Sequence, residues 1–460
     1  MGILDTLRDR APFLKNADEK QRSDSLMKAL PGTDSPTDVL RLLRTPFEYL
    51  LDQYENYGPI SRTRLVTPMV WVLGNEELRT MLIQKRAAFS WERGYKSISF
   101  GQLFDRSIVT MDGEQAAYMR DVLTPAISRL GIRESNLKVQ EVWSEATAAL
   151  DDGTSYDAYD FVHHTTFRVS AQALVGMELG PELDEMFPLF EAMIDGAIQS
   201  VPYPIPFTPL AKGIRARHEL FDRLRPRIKD VRARGDETGM VGLLANHKDA
   251  DGNYMDYDEV AEHLLVLFWA GYDTTGSAGS SCLYLLAHNP IWQDRLREEA
   301  LRVLGDRDFE LGDVANLEQL SWFLREQERH CPSILMFTRQ TFHEVELGGY
   351  TLPAGASVLY SPYVIHHNPK LWERPNIFDP GRWDPALGER QAKAANLFGF
   401  GGGPRLCIGR NFALMQLRVL ITTVLRDYYI EPDMRFTPTR MGIPMHRPID
   451  SRLFFRRVKR

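Results

Sequence analysis

"FGFGGGPRLCIGRNFALM", from Phe398 to Met415, sets Cys407 between a glycine cluster and the first turn of a helical pattern. Gly401, Gly402 and Gly403 permit backbone conformations closed to other residues, including close approach to a ligand. After the cysteine, Phe412, Met415, Val419 and Leu420 recur at helical spacing. The sulfur therefore falls at a helix N-terminus, where unpaired N–H groups and the macrodipole favour an anion. Arg405, two residues earlier, adds positive charge. A free cysteine is usually a small buried hydrophobe, but these surroundings lower a thiol pKa and favour the thiolate. Such a thiolate serves as a nucleophile or as a metal ligand.

The rest of the chain sets the bounds. It has 460 residues and no Gly/Ser-rich tract, block of like charges or internal repeat that would divide it. We read residues 1–30 as a polar extension and 31–460 as one globular unit. A formal net charge of −7 argues against nucleic acid as a partner. Three cysteines (Cys282, Cys331, Cys407) cannot build a disulfide framework and fit a reducing, cytoplasmic setting. The N-terminus has no signal-peptide core and no apolar run near the roughly 20 residues of a membrane span, so no transmembrane anchor is expected. Gly2 and Thr6 fit a myristoylation pattern so short that chance accounts for it.

Helical patterns dominate. "DEVAEHLLVLFWAGYDTTGSAGSSCLYLLAHNP" reads as one long helix stopped at Asn289-Pro290, and "IWQDRLREEALRVLG" as a second helix. "GPISRTRLVTPMVWVLGNEELRTML" reads as two strands and a helix, and "HEVELGGYTLPAGASVLYSPY" and "SRLFFRRVKR" as further short strands. The fold class is mainly α with small β-sheets (α+β), not a doubly wound sheet.

No second cysteine or histidine lies near enough to Cys407 in sequence to complete a zinc site. A nucleophile needs a base partner, on which the sequence is silent. An axial thiolate on a haem iron needs no other protein ligand. Phe400 to Gly409, "FGGGPRLCIG", matches position by position the signature F-G-x-G-x-R-x-C-x-G of the cytochrome P450 family, which this chain therefore resembles. The resemblance implies that fold, with haem b (iron protoporphyrin IX) between the long central helix and the helix after the cysteine loop. It makes Cys407 the axial ligand, with Phe400, Gly401, Gly403, Arg405 and Gly409 around the cofactor.

Other motifs stand in the family's order. Glu326 and Arg329 supply E-x-x-R, and Arg382 in "PNIFDPGRW" stands where a third member of a buried structural triad is implied. Ala270 to Thr275, "AGYDTT", resembles [AG]-G-x-[DE]-T-[TS]. It implies that the helix opens locally beside the haem, with Ala270 and Gly271 against the cofactor. Thr274 is implied to hold dioxygen and a water while Asp273 feeds protons, a short relay suited to cleaving O–O. Without the resemblance, Thr274 reads as well as a back-bonded residue at a bend. Arg339 in "MFTRQT" and Arg120 are implied partners of the haem propionates, although Ala116 stands where the family shows an aromatic residue or histidine before Arg120.

The resemblance covers roughly residues 40 to 460 and implies an O₂-dependent monooxygenase. The chain ends about 50 residues after Cys407, so we expect the haem domain alone, served by a separate ferredoxin or flavodoxin with its reductase and docking near Arg120 and Arg410. The family's pocket walls fall on "WERGYKSISFGQLF", on a segment with Pro202, Pro204 and Pro206, and on Phe268, Trp269, Ile334, Leu335, Met336 and Ile443. These stretches are mostly apolar and suit a small lipophilic substrate, terpenoid, steroid, retinoid or fatty-acid-like. Two other classes stay open: a haem-thiolate isomerase, dehydratase or peroxygenase, and a non-catalytic haem sensor.

Overall fold

The long apolar pattern folds as a single helix, Tyr257–His288, about 48 Å long at 1.5 Å per residue. The structure is a computed structural model that describes residues 17–458 apart from 66, 128, 198–202, 388–392 and 444. The Gly2/Thr6 pattern and Pro202 lie outside the described residues. Asp256 caps the helix, accepting from the N–H groups of Asp258 (2.7 Å) and Glu259 (3.0 Å). Val260 to Phe268 are all buried, as expected of a helix enclosed on every side. Helices Ala158–Val169, Pro209–Arg234, Gly239–Asn246, Glu318–His330 and Arg410–Asp427 pack around it.

Glycine is a poor helix former, costing about 1 kcal/mol relative to alanine. Here the glycines answer to packing. A Cβ at Gly276 would lie 2.8 Å from His163 Cδ2, and one at Gly279 2.7 Å from Val162 Cγ1. Helix Ala158–Val169 can therefore cross the central helix only where side chains are missing.

The strands form small groups. The largest sheet runs Ile60–Arg64, Pro68–Val72, Ser357–Tyr360, Phe337–Thr341, Phe89–Ser90, and only Pro68–Val72 with Ser357–Tyr360 is a parallel pair. Arg452–Arg457 is central in a three-stranded sheet with Ser155–Asp157 and Tyr428–Pro432. Val345–Leu347 and Tyr350–Leu352 form a hairpin. The fold is mainly α with small sheets, as expected.

The described part of the N-terminal stretch docks on the rest of the fold. Residues Ala17–Ala29 are helical, Met27 packs on the apolar cluster beside the largest sheet, and Leu30 is buried in it. Arg22 pairs with Glu344 at 2.5 Å, and the Arg62 N–H donates to Pro31 O at 2.8 Å. No helix among the described residues is long and apolar enough to cross a membrane.

The E-x-x-R pair lies on helix Glu318–His330. Glu326 and Arg329 are wholly buried and bonded at 2.7 and 3.0 Å, and Arg382 joins at 3.0 Å. Every arm of the network finds a partner. Glu326 also accepts from Asp379 N–H and Trp383 Nε1, both at 3.0 Å. Arg329 donates to the carbonyls of His366, Pro375 and Ile377, and Arg382 to those of Glu373, Arg374 and Ile377. The network thereby ties residues 366–383 to the helix. Removing one charge strands the others in the interior, at a cost of about 3–5 kcal/mol. Arg329→Ala is expected to lose that much in urea unfolding, and a loss below about 1 kcal/mol would contradict a fully buried network.

Candidate active site

The cysteine loop needs glycine at two of its positions. Gly401 and Gly403 have φ of +76° and +63°, a region that a side chain disfavours. A Cβ at Gly403 would also collide with the Leu82 carbonyl. Gly402 is extended backbone (φ −169°, ψ 169°), which any residue adopts. The Cys407 N–H donates to Phe400 O at 2.9 Å, and Gly409 caps helix Arg410–Asp427. The N–H groups of Gly409 and Arg410 lie near the sulfur and favour its charged form, and the Arg410 N–H donates to Cys407 O at 3.4 Å.

Burial nonetheless pushes the Cys407 thiol pKa up, outweighing those N–H groups and the charges of Arg120 and Arg410. The expected lowering is thus corrected: desolvation wins over the helix terminus. Cys407 differs from Cys282 and Cys331, which are buried, in being exposed. A sulfur that is both accessible and desolvated lines a space enclosed by protein. A coordinated metal ion would deprotonate such a thiol outright.

Arg120, Arg339 and Arg405 gather near that loop. Arg120 donates to Leu406 O at 2.6 Å, Arg339 to Tyr360 Oη at 3.0 Å, and Arg405 to Ile108 O at 3.0 Å. Among the described residues none of the three forms an ion pair with a carboxylate. Burial, with the neighbouring Arg339 and Arg120 charges, lowers the Arg405 pKa to about 10. The ring of Trp91 lies 3.3 Å from the Arg339 guanidinium and 4.6 Å from that of Arg405. Surplus cations beside an accessible cysteine fit a cofactor with two carboxylates. Sequence reasoning placed Trp91 and Tyr95 in a pocket wall but missed their contact with the arginines, and it missed Tyr360, because an aromatic residue that orders arginines carries no motif of its own.

The central helix stays α-helical through Ala270–Thr275, so the local opening implied by resemblance is absent. Thr274 Oγ1 donates to Ala270 O at 2.8 Å, the back-bonded alternative, and its carbonyl accepts from Ser333 Oγ at 2.9 Å. Gly271 is small for another reason than the one implied: a Cβ there would lie 3.0 Å from Ser170 Oγ and 3.1 Å from Leu174 Cδ2. Asp273 is buried and turned away from Thr274. It accepts from Tyr159 Oη at 3.2 Å, with His163 Nε2 at 3.3 Å, while its Oδ2 has no partner. Tyr272 donates to Glu191 at 3.2 Å nearby, and Arg447 lies 3.9 Å from the Tyr159 ring. Burial raises the Glu191 pKa. Four segments distant in sequence build this cluster, so no local pattern announces it.

The expected pocket residues divide. Trp269, half-buried, packs on Phe100 and Phe104, both at 5.3 Å, and Ala270 and Thr274 on the same helix are also partly accessible. Phe268 is corrected to core: it stacks on Phe190 at 4.4 Å and meets Phe167 at 4.8 Å, away from Trp269. Leu335 is likewise core, buried with Trp71 and Tyr363, and Met336 and Ile443 pack on the same cluster. Ile334 is half-buried.

The sequence profile described as Cytochrome P450 matches residues 39–448. Cyclooctatin synthase of Streptomyces melanosporofaciens is 31% identical over 414 residues, covering 86% of this chain and 87% of that one. Cyclooctat-9-en-7-ol 5-monooxygenase of the same organism is 27% identical over 409 residues, covering 86% and 87%. The fold is shared with the retinoic acid-bound cyanobacterial CYP120A1, at a TM-score of 0.84 and 24% identity, over 93% of this chain and 99% of that one. The chain belongs to the cytochrome P450 family and is a haem-thiolate monooxygenase.

Proposed function

We propose that this chain oxidises a lipophilic, isoprenoid-like substrate in the cytoplasm, with electrons from a separate ferredoxin or flavodoxin. The observation that carries the reading is a buried carboxylate, Asp273, one residue from a partly accessible threonine on the helix that bears Trp269. The names of the two Streptomyces relatives, and retinoic acid in the cyanobacterial structure, support the substrate class.

Cys407 would hold the haem iron through sulfur, and Arg120, Arg339 and Arg405 its carboxylates. When bound, the haem supplies reductive activation of dioxygen and insertion of one oxygen atom into the substrate. Each turnover also consumes protons, and this chain's own residues govern their delivery. Asp273, enclosed by Tyr159 and His163, would hold a proton away from bulk water. Once the Asp273 side chain swings away from Tyr159 and His163, Thr274 Oγ1, released from Ala270 O, would take up that proton and present it on the side of the helix that bears Trp269. The aromatic wall of Phe100, Phe104 and Trp269 would exclude water and orient an apolar skeleton. An isomerase or sensor would have no use for such a relay.

Asp273→Asn is expected to slow product formation by about a hundredfold or more, with substrate binding unchanged. Thr274→Ala is expected to divert electrons to hydrogen peroxide, and full coupling in that variant would reject the assigned role. A panel of terpenoids, retinoids, steroids and fatty acids tests the substrate class through shifts of the haem Soret band. Isoprenoids are expected to shift it most, and no response to any lipophile would contradict an apolar pocket.

A further inference from the structure

Two buried ionisable side chains pack against the backbone just ahead of the glycine cluster. The Phe398 N–H donates to His366 Nε2 at 2.9 Å. The N–H groups of Gly399 and Phe400 lie near the Glu328 carboxylate and favour its charged form. Gly399 must be bare here, since a Cβ would lie 2.6 Å from Glu328 Cγ and 3.0 Å from Oε1. The Phe400 carbonyl in turn accepts from the Cys407 N–H at 2.9 Å. Glu328 therefore sits against Gly399, one residue before the carbonyl that anchors the peptide of the cysteine. Glu328 neighbours the Glu326–Arg329 pair in sequence but takes no part in that network. Arg410, from the helix after the loop, and Arg325, from its own helix, are the cations that face it. Arg410 also lies 5.4 Å from the Phe400 ring. His366 is held neutral, its pKa lowered to about 3 by burial and by Arg329.

We propose that Glu328 is a positioning residue for the Cys407 loop, and that its negative charge, acting through space on the loop it packs against, sets the reduction potential of the haem. A buried charge acts strongly in a medium of low dielectric. Charge and hydrogen bonding near the sulfur are among the levers a protein has on such a potential. An anion there favours the more positive, oxidised iron. Burial lifts the Glu328 carboxyl from 4.5 to about 7, against the pull of Arg410, Arg325 and the two N–H groups. A carboxyl raised in this way holds its proton more tightly when folded. Its contribution to stability is present at low pH and is lost as pH rises from 4.5 to about 7.

The proposal rests on haem ligation by Cys407. Its test is a spectroelectrochemical titration of the substrate-free holoprotein, wild type against E328Q and E328D, between about pH 6 and 9. The wild-type midpoint potential is expected to fall as pH passes about 7. E328Q, which keeps an acceptor but no charge, is expected to hold a higher potential without that step, and E328D to retain a step displaced in pH. The ferrous carbon monoxide complex of each variant should keep the red-shifted thiolate Soret band, which separates this test from a failure of ligation itself. Wild-type potential and pH profile in E328Q would overturn the proposal. If E328Q does not retain haem, an unchanged profile in E328D overturns it equally.

Discussion

One sulfur atom at the head of a helix is the constraint on which the structure turns. It must be reachable from an enclosed space, fixed in position and able to bear negative charge where water is scarce. The N–H groups of Gly409 and Arg410 lie near it, yet desolvation still drives its pKa upward. A bound cation would complete the balance by favouring the thiolate. Much of the surrounding fold serves to hold that corner. Left-handed glycines turn the loop, Phe400 anchors the cysteine peptide, and the Glu326–Arg329–Arg382 network fixes the segment from 366 to 383.

Charge is distributed to suit the two sides of such a site. Arginines without carboxylate partners gather near the cysteine loop, ordered by Trp91 and Tyr360. Across the central helix the polarity reverses, and Asp273 and Glu191 are gathered among Tyr159, His163 and Tyr272. Neither group would persist in a featureless interior, because buried charge is costly unless something compensates it. On one side a cofactor's carboxylates would supply the compensation; on the other Tyr159, Tyr272, His163 and the neighbouring Arg447 surround the acids. An apolar aromatic wall at Trp269 separates these demands from the bulk.

Local backbone rules made the glycine loop, the capped central helix and the short strands legible in the sequence, since each is a property of a few adjacent residues. Glu326, Arg329 and Arg382 were legible only through the family resemblance, since E-x-x-R alone reads equally as a surface ion pair, and they form a buried network. Side-chain direction was not legible. Phe268 and Trp269 are neighbours in sequence, yet one stacks on Phe190 in the core and the other meets Phe100 and Phe104. Gly271 marked the helix as unusual, but what it accommodates is Ser170 and Leu174. Tyr159, His163, Glu191 and Glu328 act through contacts between distant segments, and no periodicity encodes those.

The account depends most on the iron being held through Cys407. Carbon monoxide added to the reduced purified protein, beside a Cys407→Ala variant, tests this most directly. We expect the red-shifted thiolate Soret band in the wild type and its disappearance in the variant. Its absence from the wild type, or a variant that keeps the same band and cofactor content, would contradict the account.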